Sequence, residues 1–139
     1  MKPIGYWLNR TDKALTRCMD EMLGEFGLTR VAWQVLNVVD AAAETTDAEV
    51  LSALAANADV STLTAAIEAV LADGWAVRCG SGRLALTADG RQRLAAAAER
   101  VDAFRELCTA GISPDEYRTA VLVLERMTHN LEAATVPPR

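Results

Sequence analysis

Between Val31 and Val77 the chain has no lysine and no arginine. The same span carries the acids Asp40, Glu44, Asp47, Glu49, Asp59, Glu68 and Asp73. Any attraction for a polyanion must come from what flanks this stretch. Histidine is almost missing too: His129 stands alone near the carboxyl end. One such residue cannot complete a Ser–His–acid or Cys–His set. The cysteines Cys18, Cys79 and Cys108 lie far apart and form no CxxC or other metal-type spacing. Their odd number suits free thiols in a reducing compartment. No glycine-rich phosphate loop is present. The acid pairs Asp20–Glu21 and Asp115–Glu116 are adjacent, and adjacent helical residues do not face each other. An enzyme is therefore not expected, and neither is a cofactor or a metal site. No run of about 18 apolar residues exists to span a membrane. The amino-terminal apolar patch is too short for a signal peptide, so a cytoplasmic protein is expected.

What remains is rich in helix formers. Hydrophobic residues make up 51% of the 139 residues, much of it alanine, and aromatics only 5%. That composition favours helices packed closely through small side chains. The length suits a single domain, 1–139, with dimerisation extensions. Net charge is −5, unhelpful for a nucleic-acid binder unless a local basic face exists.

Ile4, Trp7, Leu8, Thr11, Leu15, Cys18, Met19 and Met22 recur in three- and four-residue steps and predict one long amphipathic helix. A second helix is expected from a Thr29 cap through Val31, Trp33, Val35, Leu36 and Val39. Thr46 and Glu49 have the capping-box spacing and open a short third helix. Asp59 can cap a fourth, which Gly74 closes. Short helix, tight turn and second helix form the helix-turn-helix pattern. The period then changes. "WAVRC" and "RLALT", joined across Gly80–Ser81–Gly82, predict a β-hairpin, the wing. Thr87 can cap the next helix, with Leu94, Val101, Phe104 and Cys108 on its apolar side. "SPDE" at 113–116 signals the last helix. Its seam is Tyr117, Val121, Leu124, Thr128 and Leu131. "TVPPR" is expected to fray. The fold class expected is mainly α with a small β-hairpin wing. A winged helix-turn-helix core, 29–99, is flanked by terminal dimerisation helices, 1–28 and 100–139. One small core cannot bury so much apolar helix face, so a homodimer is expected.

The ordered set resembles the MarR-type winged-helix regulators. "IGYWLNRTDKALTRCMDEMLGEFGLTRVAWQVLNVV" is similar to their long first helix, Gly-Leu-Thr turn and second helix. "STLTAAIEAVLADGWAVR" resembles their recognition helix, through Ser61, Thr62, Thr64, Asp73 and Gly74. "RLALTADGRQRL" resembles their second wing strand and following helix start, through Leu86, Thr87 and Gly90. The resemblance implies a cytoplasmic homodimer that places recognition helices in adjacent major grooves and wings at the minor groove. It also implies a small aromatic ligand that releases DNA. Two departures stand out. Ala65 and Ala69 occupy positions where the family commonly has basic residues, and the wing loop is cut to "CGSGR".

The residues expected to meet duplex DNA are Ser61, Thr62, Thr64, Ala65, Arg78 and Arg83. The hydroxyls hydrogen-bond phosphates or bases, Ala65 meets a thymine methyl, and the arginines neutralise phosphates. Backbone amides at the helix start add an anion-binding element. Arg91 and Arg93 are expected on a solvated helix face. Tyr6, Trp7 and Trp33 are the candidates for a ligand pocket. Cys79, beside the turn, is the one candidate for redox sensing. The expectation is weak, salt-sensitive operator binding. The alternative is a winged-helix module for protein interaction or small-molecule sensing whose DNA binding is weak or lost.

Overall fold

The computed structural model describes residues 1–135. The expected fraying of the tail beyond Thr135 lies outside the described residues. Eight elements follow in order: α1 Ile4–Gly24, α2 Arg30–Ala42, α3 Asp47–Ala53, α4 Val60–Ala72, β1 Ala76–Arg78, β2 Leu84–Leu86, α5 Ala88–Cys108 and α6 Pro114–Ala134. The α-α-α-α-β-β-α-α order is the one the periodicities predict. The chain divides into two compact units, Met1–Val101 and the residues from Asp102 onward. The division places α1 with the core unit, because Met22 and Leu23 at its end are buried.

Helix starts follow local chemistry. Thr29 accepts the Ala32 N–H at 3.1 Å and Asp59 accepts the Thr62 N–H at 2.8 Å. Thr46 accepts the Glu49 N–H, but the reciprocal half of the expected capping box is not made. The Glu49 carboxylate instead accepts from the buried Thr45 hydroxyl at 3.0 Å. The box at Ser113 is complete: Ser113 accepts from the Glu116 N–H, and Glu116 accepts from the Ser113 N–H.

In the first unit, α2 packs chiefly on α4 and β2. Val35, Leu36, Leu63, Ile67, Trp75 and Leu84 are each almost fully buried between them. The α5 residues Leu94, Ala97 and Val101 join the same core. The hairpin pairs Ala76 with Leu86 and Arg78 with Leu84. Its turn is closed by the Gly82 N–H on the Cys79 carbonyl at 2.8 Å. A third extended segment, invisible to periodicity, completes it: Thr45 and Leu84 exchange both backbone hydrogen bonds, at 3.0 and 2.7 Å.

The helix-to-wing junction is fixed tightly. Gly74, at φ +77°, ends α4 in a left-handed conformation. The Trp75 N–H then reaches the Val70 carbonyl and the Gly74 N–H the Leu71 carbonyl, the Schellman pattern. Thr87 donates to the Gly74 carbonyl at 2.7 Å and accepts the Gly90 N–H at 2.8 Å. Gly90 lies directly against the Trp75 backbone, where a Cβ would overlap the carbonyl.

In the second unit, described by itself, α6 has no buried residue. Tyr117, Val121, Leu122, Leu124 and Leu131 are all exposed. Cys108, expected in the core, is exposed as well. In the first unit, Ile4, Trp7 and Leu8 of α1 are equally uncovered.

Two glycine substitutions have opposite expected signs. Gly90→Ala forces backbone apart and costs about 1–3 kcal/mol of overpacking strain, despite alanine's better helix propensity. Gly24→Ala, at the open end of α1 with nothing within 4 Å of the new methyl, gains up to about 1 kcal/mol. Urea-unfolding midpoints of the two variants should move in opposite directions.

Candidate nucleic-acid interface

Helix α4 buries Leu63, Ala66, Ile67 and Val70. At about 3.6 residues per turn the opposite ridge is Ser61, Ala65, Glu68 and Ala72, flanked by Thr64, and all of these are exposed. The structure therefore presents Ser61, Thr64 and Ala65 together on one open face. Thr62 lies to one side. It lines a cleft of about 440 Å³ with Ala65, Ala69, Val31, Leu28 and Trp75. The cleft exists because positions 65 and 69 carry only methyl groups.

The expected phosphate site at the start of α4 is altered. The Asp59 carboxylate occupies the Thr62 N–H and so sets a negative charge at the helix's positive end. That N–H holds the Asp59 carboxyl below the usual carboxylate range. A phosphate approaching the same amides would meet a charged cap. Glu68, whose direction the sequence left open, stands on the outward ridge.

Arg78 and Arg83 have different fates. Arg78 forms a two-armed ion pair with Asp47, Nη1 to Oδ1 at 2.8 Å and Nη2 to Oδ2 at 3.0 Å. Its Nη1 also donates to the Gly82 carbonyl at 3.2 Å. The guanidinium ties the wing root to α3 through this exposed pair, so a phosphate contact by Arg78 would have to compete with Asp47. The Arg78 hydrogen bonds hold the Asp47 carboxyl below its ordinary range, against the opposing effect of burial. Arg83 is exposed at the hairpin tip, with no side-chain ion pair or hydrogen bond among the described residues. Arg93 is not a solvated surface charge. Its guanidinium lies 3.8 Å from the Trp75 ring centroid and donates to the Asp73 carbonyl at 3.0 Å.

The other candidates separate. Tyr6 and Trp7 pack edge to face, with centroids 5.0 Å apart, on the exposed amino-terminal part of α1. Trp33 packs against the core of the first unit. Cys79 is half-buried. Burial pushes its thiol pKa up and the Glu44 carboxylate beside it adds to the shift. A thiol kept protonated is a poor peroxide sensor, which argues against the redox role. Sequence reasoning missed Asp47 and Thr45. Asp47 was legible only as a first-turn acid, and its partner lies 31 residues away.

The Arg78–Asp47 pair predicts a titration. The native Asp47 carboxyl is depressed, so its stabilising contribution is present above the unfolded value of about 3.9. It disappears as pH falls through the lower native midpoint. In Arg78→Gln the Asp47 midpoint should rise toward the ordinary value, as read by carboxyl NMR. The two proteins' stability curves should differ above pH ~4 and converge in stronger acid.

No protein-family model and no curated protein matches the chain. Solved structures do. The reduced form of MarR from E. coli is 22% identical, with a TM-score of 0.70, covering 91% of this chain and 94% of that one. The repressor CouR is 23% identical, with a TM-score of 0.76, covering 91% and 93%. The MarR family protein Rv2887 of Mycobacterium tuberculosis, solved in complex with DNA, is 22% identical, with a TM-score of 0.71, covering 91% and 98%. The chain has the winged helix-turn-helix fold of the MarR-type structures.

Proposed function

We propose that the chain is a homodimeric transcriptional regulator that binds duplex DNA through the outer face of α4 and the wing. The observation that carries this reading is the exposed ridge of Ser61, Thr64 and Ala65, set opposite the buried stripe of α4. The ridge is slim and offers hydroxyls and a methyl to base edges. The solved DNA complex of a protein with this fold supports the assignment. No helix among the described residues is long and apolar enough to cross a membrane. The reading is non-catalytic and places the protein in the cytoplasm, with its DNA target.

With Arg78 spent on Asp47, Arg83 is the principal phosphate contact of each wing. Binding is then weaker than with a basic recognition helix, and its salt dependence shallower than a count including Arg78 gives. Fluorescence polarisation with the gene's own upstream DNA tests this at low salt. Arg83→Ala should reduce the slope of log K against log salt by about 2 per dimer, about 0.9 for each lost contact. Absence of binding at every salt concentration defeats the reading.

The dimer is inferred from the uncovered apolar faces of α1 and α6, each too large to leave in water. A second copy covers like with like about a twofold axis. Sedimentation should give twice the 14.9 kDa chain mass, and Val121→Glu with Leu124→Glu should give the monomer.

A second reading is favoured by the acidic, cation-free span from Val31 to Val77. It is a winged-helix module that docks a protein partner and has lost DNA. A stable hetero-complex in a pull-down, together with no DNA binding, selects it. A small aromatic ligand in the 440 Å³ cleft beside α4 would compete directly with DNA, and stabilisation by such ligands in thermal melts checks that role.

A further inference from the structure

The outward ridge of α4 carries one group whose hydrogen-bonding direction is fixed. Ser61 and Thr64 can donate or accept, and Ala65 does neither. Glu68, two turns into the helix and on the same ridge, carries a carboxylate, which only accepts. A carboxylate is a costly choice on a surface that approaches phosphates, unless it meets a donor there. In the major groove the donors are the cytosine N4 amino group and the adenine N6 amino group. Adenine sets its N7 acceptor beside N6, so a carboxylate finds one favourable and one repulsive neighbour. Cytosine offers the amino group with no acceptor of its own next to it.

Resting on the DNA-binding reading above, we propose that Glu68 determines sequence specificity by accepting a hydrogen bond from cytosine N4 in each operator half-site. Ala65 and Ser61 lie one and two turns nearer the helix start, where base contacts begin. Ala65 is placed for a thymine methyl next to the cytosine. The charge of Glu68 is partly compensated on the protein side. Arg78, on the neighbouring strand β1, is near enough for Glu68 to contribute to its raised pKa. Held there by Asp47, the guanidinium does not reach for phosphate, and it lowers the cost of bringing a carboxylate into the groove. The absence of lysine and arginine from α4 has the same sense. A long basic side chain at position 65 would pair with Glu68 at the i, i+3 spacing and remove its free oxygens.

The test is selection from a pool of duplexes with a randomised core at low salt, by the full-length wild type, Glu68→Gln and Glu68→Ala. Position 68 is exposed, so all three should fold, which circular dichroism checks. Wild type should enrich a fixed cytosine in each half-site, and replacing it should weaken binding about tenfold. Glu68→Gln should shift that position to adenine, which a glutamine reads through N6 and N7. Glu68→Ala should lose the preference there while binding unselected duplex more tightly. The same base enriched by all three proteins overturns the role of Glu68 and leaves DNA binding intact. No enrichment and no duplex binding by the wild type overturns both readings.

Discussion

The junction between Trp75 and Gly90 holds the rest in place. Trp75 is almost wholly buried, and its backbone closes α4, begins the wing and abuts α5. Its carbonyl accepts the Thr87 N–H at 3.0 Å, so the strand that leaves α4 is tied to the residue that caps α5. Only a glycine at position 90 lets the two backbones come so close. Arg93, one turn further, covers the indole with its guanidinium and anchors on the Asp73 carbonyl. The outward angle of the α4 ridge and the position of the hairpin follow from this one contact. The direction of the exposed α4 face is thus fixed by close packing.

Electrostatics then decide what that face can do. Two arginines flank the wing, and the fold spends one of them. Asp47 takes Arg78 with both carboxylate oxygens, which stiffens the wing root where a three-residue strand offers little ladder. Asp59 spends a helix-start amide in the same way. Each choice trades attraction for phosphate against local order. An exposed pair of this kind adds little to stability by itself. Its larger effect is positional, since it joins β1 to α3 across 31 residues of sequence.

Much of this was legible beforehand. The element order, the caps at Thr29, Asp59 and Ser113 and the wing turn rest on short-range rules, and the structure follows them. Short-range rules also mark where legibility ends. Thr46 and Glu49 have the spacing of a reciprocal cap, yet the Glu49 carboxylate is drawn to the Thr45 hydroxyl, which β2 has buried. Arg78 reads from sequence as a wing cation because its partner is distant along the chain. Arg93 reads as a surface charge because nothing local announces an indole beneath it. Glu68 could be given a face only when the buried stripe of α4 was known. Cys108 sits at helical spacing with Val101 and Phe104, but the helix end it occupies is uncovered.

Affinity and selectivity are separable on such a surface. A basic recognition helix gains affinity from phosphates wherever it lands, so non-specific duplex competes with the true site. A neutral ridge with one carboxylate gains little from phosphates and is penalised at most sequences. Under the proposed function, net attraction would depend on base edges that satisfy the carboxylate, on two copies acting together and on the Arg83 of each wing. Dimerisation multiplies weak half-site terms. On the proposed reading the uncovered apolar faces of α1 and α6 and the missing cations belong together: a second copy would bring a second reading head and so offset the little charge available to attract DNA.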